Sequence, residues 1–226
     1  MNNRRSLQCG VVAGPLFVAT FLVEGAVRPD YDALRHPVSS LALGPWGWVQ
    51  VANFVVTGTL YLAFAIGLSR TPKTLVRTRV GPILVGASAV GLIGAGVFAT
   101  DPLSGYPLGT PDVLTDRTTA GLLHDLFSAP TFLGLPTAAV LFALSSRRDD
   151  RRWACYSAGS ALVLLVAFGL ASAAFGQVPT LVDHGGLFQR VSVIAGFTWL
   201  TALAVRCLRV LDRPSHGEPA AVTRPE

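Results

Sequence analysis

The sequence is poor in charged residues. Only 14% of its 226 residues are Asp, Glu, Lys or Arg, whereas 51% are hydrophobic, and the mean hydropathy is +0.51. Soluble domains carry about 25% charged residues, so this composition excludes an ordinary soluble domain. It predicts an integral membrane protein.

The sequence also lacks cysteine pairs and known catalytic motifs. Its three cysteines, Cys9, Cys155 and Cys207, form no C-x-x-C pair, and a disulfide framework is not indicated. H-E-x-x-H, G-x-S-x-G and G-x-x-x-x-G-K-S/T are absent as well. No local motif therefore points to a reaction.

Long apolar runs make up most of the chain. A membrane-spanning helix needs about 20 mostly apolar residues to cross about 30 Å of hydrocarbon. Six such windows predict an all-α bundle of six transmembrane helices in one domain, residues 1–208, followed by a disordered polar tail, residues 209–226. The windows are Leu7 to Val27, Trp48 to Ser69, Arg79 to Ala99, Ala120 to Leu144, Trp153 to Phe175 and Leu187 to Leu208.

The basic residues predict the orientation. Fourteen of the 18 fall at the two termini and in the second and fourth connections. Because cytoplasmic connections accumulate Lys and Arg, both termini are expected on the cytoplasmic side. The predicted location is a bacterial plasma membrane. Topology and contact with anionic lipid then explain the net charge of +5, so the lipid bilayer is the predicted partner and nucleic acid is not.

Small residues recur at helical spacing in two of the windows. Gly10 and Gly14 form a G-x-x-x-G pair in the first, and Gly91 and Ala95 lie one turn apart in the third. Such spacing lets helix backbones approach closely in lipid. It predicts internal helix contacts, and a seam between copies of the chain in a homo-oligomer is the alternative.

The fourth window contains two prolines. Pro130 and Pro136 remove backbone donors and predict a bent helix, with Ser128 and Thr131 available to bond the freed backbone groups.

Ionisable and amide side chains gather at the predicted outer face, where burial beside hydrocarbon is costly. Three interpretations remain open: an ion-paired cap that ties the helices together, a metal or acid-base site, and a vestibule for an ion, proton or small solute. No cofactor is predicted, although zinc is possible on His36, His124, His184 and Asp125. The candidate site residues are Glu24, Arg35, His36, Ser39, Ser40, Asn53, Asp101, His124, Asp125, His184 and Arg190.

Three segments carry a resemblance to a known family: R-H-P-V-S-S-L-A-L-G from Arg35 to Gly44, Asp101-Pro102, and Gly121 to His124. The chain resembles, from about Cys9 to Leu208, the bacterial membrane family catalogued as domain of unknown function 998. The resemblance implies a six-helix membrane protein, and it implies no established activity.

A weaker likeness concerns the membrane hydrolases related to alkaline ceramidases, which place three His, an Asp and a Ser around zinc. The three outer histidines, Asp125 and Ser39 or Ser40 supply these residue types, but that family has seven helices and a C-terminal pair of His one turn apart. A small-solute or proton pathway is therefore the favoured function. A metal-dependent hydrolase of lipid-like substrates is the alternative.

The first outer connection is expected to fold back as an ordered cap. Ser39 and Ser40 predict the capped start of a short helix over residues 41–43, which Gly44-Pro45 would end. Arg35 is expected to be partly buried against Glu24, Asp101 or Asp125. Replacing it by Ala should then destabilise the protein more than the same change at Arg28.

Overall fold

The computed structural model describes residues 2–72, 76–114 and 116–212. The predicted tail therefore lies outside the described residues from position 213 onward. Seven α-helices, two short 3-10 helices and one π-helix follow one another along these residues. They are α1 (Asn3–Val27), a 3-10 helix (Val38–Ala42), α2 (Gly47–Ser69), α3 (Val80–Val97), α4 (Thr119–Ala129), a π-helix (Pro130–Gly134), α5 (Leu135–Ser146), α6 (Arg151–Phe175), a 3-10 helix (Val182–His184) and α7 (Gly185–Leu211).

Six segments of the described chain are long and apolar enough to cross a membrane, because α4, the π-helix and α5 form one continuous span, Thr119–Ser146. No strand is present in these residues. The prediction of an all-α bundle of six transmembrane helices is therefore confirmed. The helix ends differ from the predicted windows by a few residues, and α7 continues to Leu211, past the predicted boundary at Leu208.

The six spans form a closed ring. Each packs against the next along the chain, and α1 packs against α7 to complete the circle. The centre of the ring is filled by large side chains that are at most 2% exposed, including Phe17, Tyr61, Phe142 and Phe197. Close packing of helices, with no hydrophobic driving force from lipid, is how such a bundle holds together.

The two ends of the ring differ in composition. The end at which α1 begins and α7 ends, here called the basic end, also carries residues 70–72, 76–79 and 147–150. It has ion pairs between Arg4 and Asp212, Arg77 and Asp149, and Arg206 and Asp150. The opposite end, here called the loop end, carries connections 28–46, 98–118 and 176–184. That the basic end is cytoplasmic stays a prediction.

The predicted bend in the fourth span is a π-helix that starts at Pro130 and separates α4 from α5. The compensating hydroxyl comes from another helix: Ser88 Oγ of α3 donates to the carbonyl of Pro130 at 2.7 Å. Thr131 Oγ1 is buried without a partner in the described residues. The backbone at the bend is thus bonded by a side chain of another helix, and not by Ser128 and Thr131 as expected.

The small residues of α1 and α3 lie against neighbouring helices. A Cβ at Gly10 would clash with the ring of Phe64 in α2, and one at Gly14 would meet Tyr61 of α2 and Thr201 of α7. These glycines are therefore internal helix contacts, as predicted first. The homo-oligomer seam stays an untested alternative, and these two positions do not support it.

Candidate functional site

The connection from residue 28 to residue 46 folds over the loop end and is bonded to α7. The N–H groups of Gly186 and Leu187 donate to the carbonyls of Arg35 and Leu34 at 3.1 and 2.8 Å. Val38 N–H donates to Gln189 Oε1 at 2.7 Å. The first turn of a helix has N–H groups without partners inside the helix. Here the carbonyl groups of the connection are those partners. We call residues 28–46 the loop cap.

The short helix of the loop cap differs from its prediction. It spans Val38–Ala42 and has no side-chain cap, because Pro37 occupies the N-cap position. Ser40 is fully buried and its hydroxyl has no partner among the described residues. Ser39 instead faces the cavity described below. Gly44, with φ of +77°, reverses the chain after this helix, as Gly can without strain.

The buried ion pair of the loop end involves Arg28, and the predicted partners of Arg35 are wrong. The Arg28 side chain is 6% exposed, contacts Glu24 at 2.8 Å, and also donates to the carbonyls of Leu41 and Leu43 at 3.1 and 3.2 Å. The Arg35 side chain is 29% exposed and pairs with two exposed carboxylates, those of Asp112 and Asp183. Arg28 pairs with Glu24 because it follows Glu24 by one helical turn and therefore lies on the same face of the helix.

Arg190 of α7 is buried at the centre of the loop end. Its guanidinium donates to Tyr31 Oη at 2.6 Å, to the His36 carbonyl at 3.1 Å and to the Gly186 carbonyl at 3.0 Å. Tyr31 in turn donates to the Pro37 carbonyl at 2.9 Å, and burial raises the pKa of Tyr31 to about 12, so the phenol stays protonated. Arg190 therefore ties α7 to the loop cap.

His36 is a packed core group of the loop cap. Its Nδ1 accepts from Asp32 N–H at 2.9 Å, and its ring lies 5.4 Å from that of Tyr31 and 5.2 Å from that of Tyr106. Burial lowers the pKa of His36 below its ordinary value, and Arg35 acts in the same direction. The ring is neutral at pH 7, and it forms a cluster with Tyr31 and Tyr106, whose own ring centroids are 5.1 Å apart.

His124 lies in α4 and faces the interior of the bundle. Its Nδ1 is 2.9 Å from the Ala95 carbonyl and 3.0 Å from the Phe98 carbonyl of the preceding span. A nitrogen between two carbonyl oxygens must be the protonated one, so Nε2 is the acceptor of the neutral ring. His124 lines the cavity described below.

The three histidines predicted at the outer face, His36, His124 and His184, do not come together. His184 is exposed at the start of α7 and contacts the ring of Phe188, while His36 and His124 have the separate surroundings given above. No group of three or more His, Cys, Asp or Glu that could hold a metal exists in the described residues. The zinc site that the hydrolase alternative requires is therefore not supported.

The two acidic candidates next to α4 have different roles. Asp101 receives hydrogen bonds from the N–H and hydroxyl of Thr118 at 3.0 and 2.6 Å, and Thr118 caps α4 by accepting from Gly121 N–H. Asp101 therefore anchors the start of α4. Asp125 is exposed and pairs with Arg117 at 3.3 Å. Asn53 is buried in α2 and donates to the Phe17 carbonyl at 3.2 Å, away from both acids.

A cavity of about 600 Å³ opens among these groups, and we call it the loop-end cavity. Its inner walls are mostly aromatic, and its polar groups come from the loop cap, from α4 and its preceding connection, and from the ends of α6 and α7. The aromatic residues are Phe17, Phe54, Phe132, Phe168, Phe175 and Phe197, and the polar ones include Ser39, Asp101, Arg117, His124, Asp125, Ser128, Thr131, Gln177 and Gln189.

The loop-end cavity lies where the ring of helices is loosest. Along the last three spans, α5 packs closely against α6, whereas α4 packs against α3 and is not a close neighbour of α6. The π-helix marks the point of separation. Near this gap the rings of Phe132 and Phe168 are stacked, with centroids 4.4 Å apart.

Several residues of the site were missed by sequence reasoning. Arg28 could have been found from its spacing of four residues after Glu24. Arg117 and Thr131 were not predicted as site residues, because their place in the cavity depends on which helices the ring places side by side. Of the eleven predicted residues, four line the cavity: Ser39, Asp101, His124 and Asp125.

Comparison with known proteins gives a family and no activity. The family model described as a protein of unknown function (DUF998) matches residues 11–206, which is most of the chain. No solved structure matches the chain. The match covers all six spans, and it agrees with the resemblance carried by the loop-cap motif. The chain belongs to the DUF998 family of integral membrane proteins.

Proposed function

We propose that the protein binds a small amphiphilic molecule in the loop-end cavity. The observation that carries this proposal is the contrast between its walls: Phe17, Phe54 and Phe197 are buried inside the bundle, whereas the charged pair Arg117–Asp125 is exposed. Pockets for small molecules have volumes of about 300–1,000 Å³ and mostly apolar walls with a few polar groups. The cavity fits this description.

The cavity is closed toward the basic end. Tyr61, Phe142 and Trp199 lie farther along their helices in that direction, and each is 1% exposed. Tyr61 packs edge-on against Phe197 of the cavity wall, with ring centroids 5.2 Å apart. This floor supports a binding chamber rather than an open pore, and a solute pathway would require a second conformation in which the floor separates.

The polar groups favour a neutral or zwitterionic head group. An apolar chain gains little by moving from lipid into an apolar cavity, so selectivity must come from polar contacts. Arg117 and Asp125 neutralise each other at 3.3 Å. The Asp101 carboxylate already accepts two hydrogen bonds from Thr118, and Ser128 and Gln189 are uncharged. A neutral or zwitterionic head group can bond these groups without separating the pair.

Thermal stability in lipid nanodiscs tests the proposal with three probes of equal chain length: decanol, decanoate and decyltrimethylammonium. We expect decanol to raise the melting temperature most, because a ligand that binds only the folded state stabilises it. The cavity-filling variant Ala129→Phe should lose this rise. Ala158→Phe, the same change on the exposed face of α6, should retain it.

The outcome against the proposal is an equal response of the two variants. It would show that decanol acts on the bilayer and not in the cavity. Mass spectrometry of molecules that copurify with the protein gives a second readout, since the wild type and Ala158→Phe should carry a bound amphiphile that Ala129→Phe lacks.

A further inference from the structure

A row of polar side chains runs along one face of α2, apart from the loop-end cavity. Gln50, Asn53, Thr57 and Tyr61 are spaced by three or four residues, so they share a face of the helix. At 1.5 Å per residue the row extends about 16 Å toward the middle of the bundle. Each of the four is at most 5% exposed, and none lines the loop-end cavity. We call these residues the α2 polar row.

Every member of the α2 polar row has an atom without a hydrogen-bond partner in the described chain. These atoms are Gln50 Nε2, Asn53 Oδ1, Thr57 Oγ1 and Tyr61 Oη. The two side-chain bonds inside the row are both donated by Asn53 Nδ2, to the Phe17 carbonyl at 3.2 Å and to Gln50 Oε1 at 3.1 Å. Buried polar groups in proteins are nearly always bonded, and four exceptions on one helix face need an explanation.

The Tyr61 end of the row packs closely against Gly14 of α1. Tyr61 Oη, Thr201 Oγ1 and the Phe197 carbonyl oxygen all lie within 3 Å of the position that a Cβ at Gly14 would occupy. Thr201 Oγ1 is also buried without a partner. The distances from that position to the two hydroxyls are 2.9 and 2.8 Å. The hydroxyls are therefore no more than about 5.7 Å apart, which one bridging molecule with two hydrogen bonds of normal length can span.

The chemistry of the row selects its ligand. The unpartnered atoms include an amide N–H donor, hydroxyls that both donate and accept, and an amide oxygen that accepts. No carboxylate belongs to the row, so a cation there would be an uncompensated charge in a low-dielectric interior. A molecule that donates and accepts, carries no charge and is small enough to fit beside a glycine is water.

We propose that the α2 polar row and Thr201 bind a file of internal water molecules between α1, α2 and α7. The file starts near the loop end at Gln50 and ends at Tyr61. Beyond it, the fully buried ring of Phe64 packs on Gly10 and closes the way to the basic end. The water file therefore brings polar solvent to the middle of the membrane without crossing it, and it is separate from the proposed amphiphile site.

The substitution Thr57→Val tests the proposal through the sign of the change in melting temperature. If the Thr57 hydroxyl is bonded to water, its loss removes that bond, and we expect the melting temperature in nanodiscs to fall by about 2–4 °C. If the site is dry, replacing an unsatisfied hydroxyl by a methyl group should raise the melting temperature or leave it unchanged. The matched control is Thr59→Val, whose exposed hydroxyl already bonds the Val55 carbonyl at 2.8 Å and should change little.

Two further measurements test the water file. Hydroxyl radicals formed by radiolysis of bound water should modify Tyr61 faster than Trp199, which is equally buried but bonded to Ser157 at 3.1 Å. Equal protection of the two rings would overturn the proposal. The second measurement compares the melting temperature in sodium and in choline salts at constant ionic strength. If sodium raises the melting temperature of the wild type but not of Thr57→Val, the ligand is a cation and the proposal is overturned.

Discussion

Replacing Arg28 by Ala should destabilise the protein much more than replacing Arg35. The Arg28 side chain is 6% exposed and holds the Glu24 carboxylate, which is 9% exposed and whose second oxygen has no partner in the described chain. Removing the guanidinium leaves a buried carboxylate unpaired and two carbonyls of the loop cap without a donor. Breaking a buried pair in this way costs about 3–5 kcal/mol.

Arg35→Ala should destabilise the protein less, because the partners of Arg35 are exposed. Its partners, Asp112 and Asp183, are 59% and 68% exposed, and exposed pairs contribute about 0.2–1 kcal/mol each. We take about 1 kcal/mol for the whole side chain. With about 2–4 °C of melting temperature per kcal/mol for a chain of this size, Arg35→Ala should lose about 2–4 °C and Arg28→Ala at least about 6–12 °C.

The assay is the loss of monodisperse protein after heating in detergent, measured by fluorescence-detected size exclusion. The double variant Glu24→Gln with Arg28→Ala serves as the control, because an uncharged amide removes the unpaired charge. It should recover at least half of the loss. If Arg28→Ala loses no more than Arg35→Ala, or if the double variant recovers nothing, the buried pair is not what holds the loop cap.

Three other predictions concern the topology, the loop cap and the fourth span. Reporter fusions at Ser146 and at the C-terminus should both report the cytoplasm, and a fusion at Pro111 the exterior; an external C-terminus would contradict the orientation. Because burial lowers the pKa of His36, the unfolded chain binds a proton that the folded chain does not, so stability should fall as the pH drops from about 7.5 to 5.5. His36→Asn should flatten this melting-temperature profile, and an unchanged profile would assign the dependence to another group. Ser88→Ala removes the bond to the π-helix and should lower the melting temperature by about 2–4 °C, whereas Ser69→Ala, which removes an exposed hydroxyl bonded within its own helix, should not; equal effects would show that the contact between helices adds nothing.

The spans could be predicted from the sequence because their signal is local. About 20 apolar residues in a row predict a membrane helix whatever surrounds them, and the six predicted windows correspond to the six observed spans. The π-helix could be predicted only in part. Pro130 indicated a bend, but the bond from Ser88 depends on α3 lying beside it, and nothing near Ser88 in the sequence says so.

The site was less predictable because it depends on which side of each helix faces inward. Arg35 and His36 are neighbours in a polar motif, yet Arg35 is half-buried and pairs with exposed carboxylates, while His36 packs in a cluster with two tyrosines. The α2 polar row was visible in the spacing of Gln50, Asn53, Thr57 and Tyr61. Only the structure shows that this face turns toward α1 and α7 rather than toward lipid.

The break at Pro130 connects the fold to the proposed function. Asp125 lies in α4, six residues after its first residue, which is about 9 Å along the helix. A carboxylate at that depth would be costly against lipid, and here it faces Arg117 and the loop-end cavity instead. This is possible because the π-helix sends α4 toward α3 and away from α6. A straight fourth span would bring α4 toward α6 and narrow the cavity. The bend and the cavity therefore depend on one another.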